Sequence, residues 1–90
     1  MELTKQLIII NKLGLHARAA SKLVATASKF DCSVQINRNG QIADAKSIMS
    51  VLMLAASKGT TLDFTVNGHD AEEALQQIET LINNRFDEGE

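Results

Sequence analysis

Ninety residues suffice for one domain, taken as 1–90, and leave no room for a second core or a deep substrate cavity, so a functional site should lie at the surface. With 44% hydrophobic and 22% charged residues the composition is that of an ordinary globular chain, and with only Phe30, Phe64 and Phe86 as aromatics the core must be aliphatic. A net charge of −2 argues against a nucleic-acid partner, the lone Cys32 allows no internal disulfide, and no apolar run is long enough to insert in a membrane.

Residues 3–10, "LTKQLIII", read as a strand with Leu3, Lys5, Leu7 and Ile9 on one face, which turns Ile8 and Ile10 outward. This opening has neither a basic start nor a small-residue cleavage site, so it is not a signal peptide, and the single cysteine fits a reducing cytosol. "NKLG" (11–14) is a loop. From Ala17 to about Phe30, Ala20, Leu23, Val24 and Ala27 recur at helical spacing. Cys32 follows at a strand start and reads as a buried structural residue. "SVQIN" (33–37) and "QIADA" (41–45) form a hairpin around Asn39-Gly40, a pair suited to positive φ. Ser47 is an N-cap for "IMSVLMLAA" (48–56), with Lys58-Gly59 as its stop.

"TTLDFTVNG" (60–68) alternates Leu62, Phe64 and Val66 with polar residues and is the clearest strand. His69 reads as a solvated turn residue. Asp70 caps a last helix with Glu73 as its capping-box partner, and Ala71, Ala74, Leu75, Ile78, Leu81 and Ile82 make the apolar stripe. "FDEGE" (86–90) reads as a solvated tail. Strands with one apolar face and helices gathered on one side predict an α+β open-faced β-sandwich.

Charge is unevenly spread. Residues 1–60 carry eight basic and three acidic side chains; residues 61–90 carry one basic and eight acidic. Such asymmetry usually reflects solvated faces, or else one side receives an anionic group or partner. His16 opens the first helix in the basic part of the chain. The first turn of a helix leaves N–H groups unpaired and carries partial positive charge, so the backbone of Ala17, Arg18 and Ala19 suits a phosphate. The same dipole favours a neutral, nucleophilic imidazole at His16. Gly14 lets the approaching loop come close, and Arg18 can fork onto phosphate oxygens. Position alone also suits an indifferent surface histidine. His69 and Cys32 lack ligand spacing to His16, so no metal and no cofactor is expected.

"GLHARAA" (14–20), with "KSIMSVLML" (46–54) and the order of elements, resembles the HPr family, the small phosphocarriers of the bacterial phosphoenolpyruvate phosphotransferase system. The resemblance covers nearly the whole chain. It implies a four-stranded antiparallel sheet under three helices, and a carrier rather than an enzyme. It implies that enzyme I phosphorylates His16 on Nδ1, that Arg18 assists, and that the group passes to an enzyme IIA domain. Ser47 matches the family's regulatory serine, the target in some bacteria of a serine kinase. Ala19 stands where the family usually has proline, a departure that resembles the nitrogen-related branch. Ile48, Met49 and Leu52 are the expected partner-docking residues. A cytoplasmic monomer is expected. The alternative function is a regulatory binding module whose phosphorylation at His16 or Ser47 selects its partners.

Overall fold

The computed structural model describes residues 1–90. Four strands, β1 (Glu2–Ile8), β2 (Ser33–Arg38), β3 (Gln41–Asp44) and β4 (Thr61–Asn67), form one antiparallel sheet in the order β1-β4-β2-β3. Helices α1 (Ala17–Ser28), α2 (Ile48–Met53) and α3 (Ala71–Asn83) cover it. The predicted sandwich is thus what the chain forms. No helix is long and apolar enough to cross a membrane.

Period-two alternation does what it should. Leu62, Phe64 and Val66 of β4 are fully buried and face Leu7 of β1 and Ile36 and Val34 of β2 across the ladder. Ile8, out of phase, is half exposed, while Ile9 just beyond β1 is fully buried. Asn39 and Gly40 take φ of 50° and 95°, the two positive values that a two-residue hairpin turn requires.

Helix boundaries depart from the sequence reading in two places. α1 ends at Ser28, because Lys29 and Phe30 donate to the carbonyls of Thr26 and Ala27 at tighter spacing (3.2 and 3.3 Å) and the Phe30 ring turns into the core. α2 ends at Met53 and not at Ala56. Arg38 donates to the carbonyls of Leu54 (2.6 Å) and Ala55 (3.2 Å), and Gln41 donates to that of Met53 (3.0 Å). Hairpin side chains thus satisfy the carbonyls at the helix end, and Ala55 swings to φ 49°, off the helical path. Gly59 serves the turn into β4 instead of stopping α2.

The capping box at α3 does not form. The Asp70 side chain makes no cap bond; its two oxygens accept the N–H groups of Asp31 (2.8 Å) and Cys32 (2.9 Å) at the entry to β2. The backbone N–H of Asp31 holds the Asp70 carboxyl below its usual range, burial opposes this, and the N–H of Cys32 adds to it. Cys32 is buried as expected. Burial, and then the Asp70 carboxylate, push its thiol up. Gly68 allows this close approach, since a Cβ there would lie 2.7 Å from Cys32 Cα.

The tail is solvated only in part: Phe86 is fully buried and Glu88 half-buried, while Asp87, Gly89 and Glu90 are exposed. After α3 the chain makes one tight turn, Arg85–Asp87, with φ of 55°, 53° and 62°. Left-handed backbone costs L-residues about 1–2 kcal/mol each. Full burial of the Phe86 ring returns about 1.5–3 kcal/mol, less than three such residues cost. The remainder must come from bonds that hold the tail down. Asp87 and Glu88 donate to the carbonyls of Asn84 and Arg85 (both 3.0 Å), and Lys22 Nζ donates to the Phe86 carbonyl (2.8 Å). The charge run gave the wrong expectation because it hid an aromatic ring that water would not hold.

A pH dependence follows from Asp70. Its folded pKa is lowered, so its contribution to stability is whole above the unfolded value of about 4 and fades as pH falls through the folded value. Asp70→Asn should therefore lower the urea midpoint at neutral pH and shrink the loss of stability on acidification. A midpoint lowered equally at every pH would show that the charge of Asp70 is not what matters.

Candidate functional site

The loop carrying His16 is tied to the end of α2 and to the tail. Gly14, at φ 68°, packs so closely on the residues after α2 that a Cβ would fall 2.5 Å from the Ala56 carbonyl oxygen. The next residue uses that approach: Leu15 N–H donates to Ala56 at 2.8 Å, and the Leu15 side chain is buried. The expected role of Gly14 is what the structure shows. Asn11, fully buried, donates through Nδ2 to the Gly14 carbonyl (2.8 Å) and so sets the loop's inner curve.

His16 is the N-cap residue of α1, extended at φ −74° and ψ 179°. Its carbonyl accepts the first helical bond, from Ala20 (2.8 Å). The N–H groups of Ala17, Arg18 and Ala19 therefore have no protein acceptor, as the sequence reading required. The imidazole does not cap them. Arg18 is exposed and forms neither a hydrogen bond nor an ion pair, so its guanidinium is available to an anion. Ala19 is fully buried on the inner side of the same turn. An open depression of about 430 Å³ is lined by His16, Arg18, Lys12 and Glu88.

Glu88 is the residue the sequence reading missed. Its Oε2 meets Nε2 of His16, and its Oε1 accepts from Asn11 Nδ2 (2.9 Å). The Glu88 side chain is 10% exposed and that of His16 30%. Burial would raise the Glu88 carboxyl, but the hydrogen bonds from Asn11 and His16 and the charges of His16 and Arg18 together hold it below the usual range. An ionised carboxylate only accepts, so Nε2 is the nitrogen that bears hydrogen. In the neutral ring the lone pair then belongs to Nδ1, which makes no hydrogen bond within the protein. No spacing rule links residues 16 and 88; the available signal was Phe86, an apolar anchor just before an acidic end.

Other tail carboxylates also reach the basic segment. Asp87 lies 3.7 Å from Lys22 and Glu90 3.9 Å from Lys12. His69 is exposed and bonds to Asp31 (3.1 Å), with the Asp70 carboxylate also within 4.8 Å.

The expected docking residues lie on α2. Ile48 is 38% and Met49 66% exposed, Leu52 is half-buried, and Met53 is also exposed, whereas Val51 and Leu54 are fully buried. Leu13, in the loop before His16, adds an exposed side chain that the sequence reading did not single out. Ser47 caps α2 through a long bond from Ser50 N–H (3.4 Å). Its neighbour Lys46 donates to the Phe30 carbonyl beyond the end of α1, while the segment after α2 meets Leu15 at the start of α1. Through Lys46 the start of α2 is thus tied to the residues just beyond α1, on the side away from His16.

Comparison with known proteins follows the same lines. The family described as "PTS HPr component phosphorylation site" matches residues 3–84. The phosphocarrier protein HPr of Pseudomonas aeruginosa is 55% identical over 86 residues, 94% of this chain and 96% of that one. The phosphocarrier protein NPr of Shewanella violacea is 44% identical over 87 residues, covering 97% and 96%. The crystal structure of HPr-C-His from Thermoanaerobacter tengcongensis superposes with a TM-score of 0.93 at 37% identity, covering 96% of this chain and 97% of that one.

The Gly14 approach generates a test. Gly14→Ala sets a Cβ against backbone atoms and requires a left-handed alanine, so stability should fall by about 1–3 kcal/mol, read from the urea midpoint. A variant as stable as the parent would mean that the contact between loop 9–16 and the end of α2 yields easily.

Proposed function

The chain belongs to the HPr family of phosphocarriers of the phosphotransferase system, and on that premise we propose that His16 is the residue that carries the phosphoryl group. A carrier of this kind is phosphorylated and dephosphorylated by other proteins and has no turnover of its own. The family implies enzyme I as donor and an enzyme IIA domain as acceptor. The observation that carries the assignment to His16 is the pairing of a ring with an uncommitted Nδ1 and a helix start with three unpaired N–H groups.

Chemistry follows from that pairing. Nδ1 of the neutral ring attacks phosphorus, and the bond from phosphorus to the donor breaks. The N–H groups of Ala17, Arg18 and Ala19 and the Arg18 guanidinium bind the phosphoryl oxygens, where charge is spread in the transition state. Exposed Ile48 and Met49, with half-buried Leu52, give partners an apolar contact. Lys12 and Lys22 face tail carboxylates and Lys46 faces the Phe30 carbonyl, so Arg18 is the unpaired cation beside the ring. The carrier works as a cytoplasmic monomer in this reading. Identity favours the branch named HPr over the nitrogen-related one, 55% against 44%. Ala19 packs fully inside, so its choice over proline also answers to packing.

The assignment is tested with phosphoenolpyruvate and enzyme I. One acid-labile phosphate should appear on the wild-type chain, and His16→Ala should abolish it while the melting temperature changes little. Label retained in the variant, or mapped to His69, would sink the assignment.

Ser47 is the proposed regulatory position, open to a serine kinase. A phosphate there adds roughly −1.5 to −2 charge and stands next to Ile48 and Met49 on the docking surface. The charge acts by weakening docking. Ser47→Asp should therefore slow labelling at low carrier concentration and recover towards the wild-type rate as concentration rises. Labelling at the wild-type rate throughout would leave Ser47 as a helix cap alone.

A further inference from the structure

We infer that Glu88 is the positioning residue for phosphoryl acceptance: its carboxylate holds Nε2–H of His16, leaves the lone pair on Nδ1, and balances the charge that the ring gains as Nδ1 bonds to phosphorus. The inference rests on His16 being the acceptor.

The contact is built rather than incidental. Glu88 bridges two groups, with Oε1 taking Asn11 Nδ2 at 2.9 Å and Oε2 taking His16 Nε2. Asn11 is fully buried and is itself tied to Gly14 at 2.8 Å, so the carboxylate is anchored to the loop that carries the ring. On its other side Glu88 follows three residues in left-handed backbone, Arg85, Phe86 and Asp87. Strained backbone persists only where its surroundings over-determine it. Here the buried Phe86 ring and the bond from Lys22 to the Phe86 carbonyl do so.

The charge balance explains why a carboxylate belongs there. Nδ1 of the neutral ring carries no proton, so none leaves when it attacks. A bond forms between Nδ1 and phosphorus, the bond between phosphorus and the phosphorylated donor protein breaks, and its electron pair stays on the donor. The Nε2 proton remains, and the ring becomes formally cationic. A carboxylate on Nε2–H stabilises that cation as it develops, much as a buried aspartate stabilises the imidazolium of a serine protease. An opposing effect exists, since the carboxylate also repels the phosphoryl oxygens. That repulsion is present as soon as the donor docks and is carried unchanged into the transition state. The ring charge appears only during the step. Glu88 should therefore weaken donor binding somewhat and speed the step itself.

The experiment is single-turnover phosphorylation of the full chain by phosphorylated enzyme I across a range of enzyme I concentrations, with nitrogen NMR of the His16 ring in the unphosphorylated protein. Glu88→Ala should lower the limiting rate by about ten- to hundredfold, the range for removing the partner of a functional imidazole, without raising the half-saturating concentration. Its Nε2–H signal should lose protection from exchange. Glu88→Gln keeps an acceptor without the charge, so it should keep the Nε2–H signal and show an intermediate rate. Asp87→Asn removes the same charge from the tail but leaves the contact, and should behave as wild type. Melting curves establish that each variant is folded. If the wild-type chain is not labelled on His16, the functional assignment fails whatever Glu88 does. If labelling is normal and Glu88→Ala keeps both its limiting rate and its Nε2–H signal, or if Asp87→Asn slows the step equally, the positioning role is overturned.

Discussion

Leu62, Phe64 and Val66 alternate with Thr61, Asp63 and Thr65, so the central strand has one apolar face, and that face must be covered by the helices. The chain has to return to the same side of the sheet after each strand or hairpin. The β1–α1 and α2–β4 connections and the tail therefore meet at one end. There Gly59 donates to the Ile9 carbonyl (2.7 Å), Leu15 to that of Ala56 (2.8 Å), and Lys12 to that of Glu90 (2.7 Å). The start of α1 opens at this junction. The surface chemistry at His16 is a consequence of how the sheet is covered, and residues far apart in sequence come together there without a cavity.

Local periodicity carried the fold. Strand faces at Val34, Ile36, Leu62, Phe64 and Val66, and the stripe of α3, follow from spacing alone, because one side of each element is wet and the other dry. What was not legible depended on partners distant in the chain. Asp70 has the residue type and position of a cap, but the N–H groups of Asp31 and Cys32 compete for its oxygens and win. α2 has the composition to run further, but Ala55 turns left-handed and the side chains of Arg38 and Gln41 satisfy the carbonyls at the helix end. Half of the candidate site was readable for the same reason: His16, Arg18 and the helix N–H groups are local to one turn. Glu88 and Asn11 were not, since their pairing exists only after the tail has folded back.

The uneven charge of the two parts of the chain takes on a different meaning in the folded molecule. An excess of basic side chains before residue 60 and of acidic ones after it reads as solvated faces, or else as a side that receives an anionic group or partner. Much of the complement is internal. Glu79 meets Lys5 at 2.8 Å, Asp87 lies near Lys22, Glu90 near Lys12, and Glu88 is on His16. The exposed pairs add little to stability. Their effect is to neutralise the ground around His16 while leaving Arg18 as the unpaired cation, so that the positive field beside the ring is narrow and comes from one side chain and one helix start.

Cys32 sits where β2 begins, under Gly68 and against Asp70, and its thiol is held in the protonated form. Thiolate is the species that alkylating reagents and oxidants attack, so in the closed molecule this sulfur is chemically silent. It becomes reactive only when the entry to β2 lifts away from the turn before α3. The rate at which a thiol reagent consumes it is then a clock for that opening, set by the free energy of local unfolding and not by the chemistry of sulfur. The end of the sheet remote from His16 thus carries its own reporter, against which motions that reach the His16 loop can be told from those that do not.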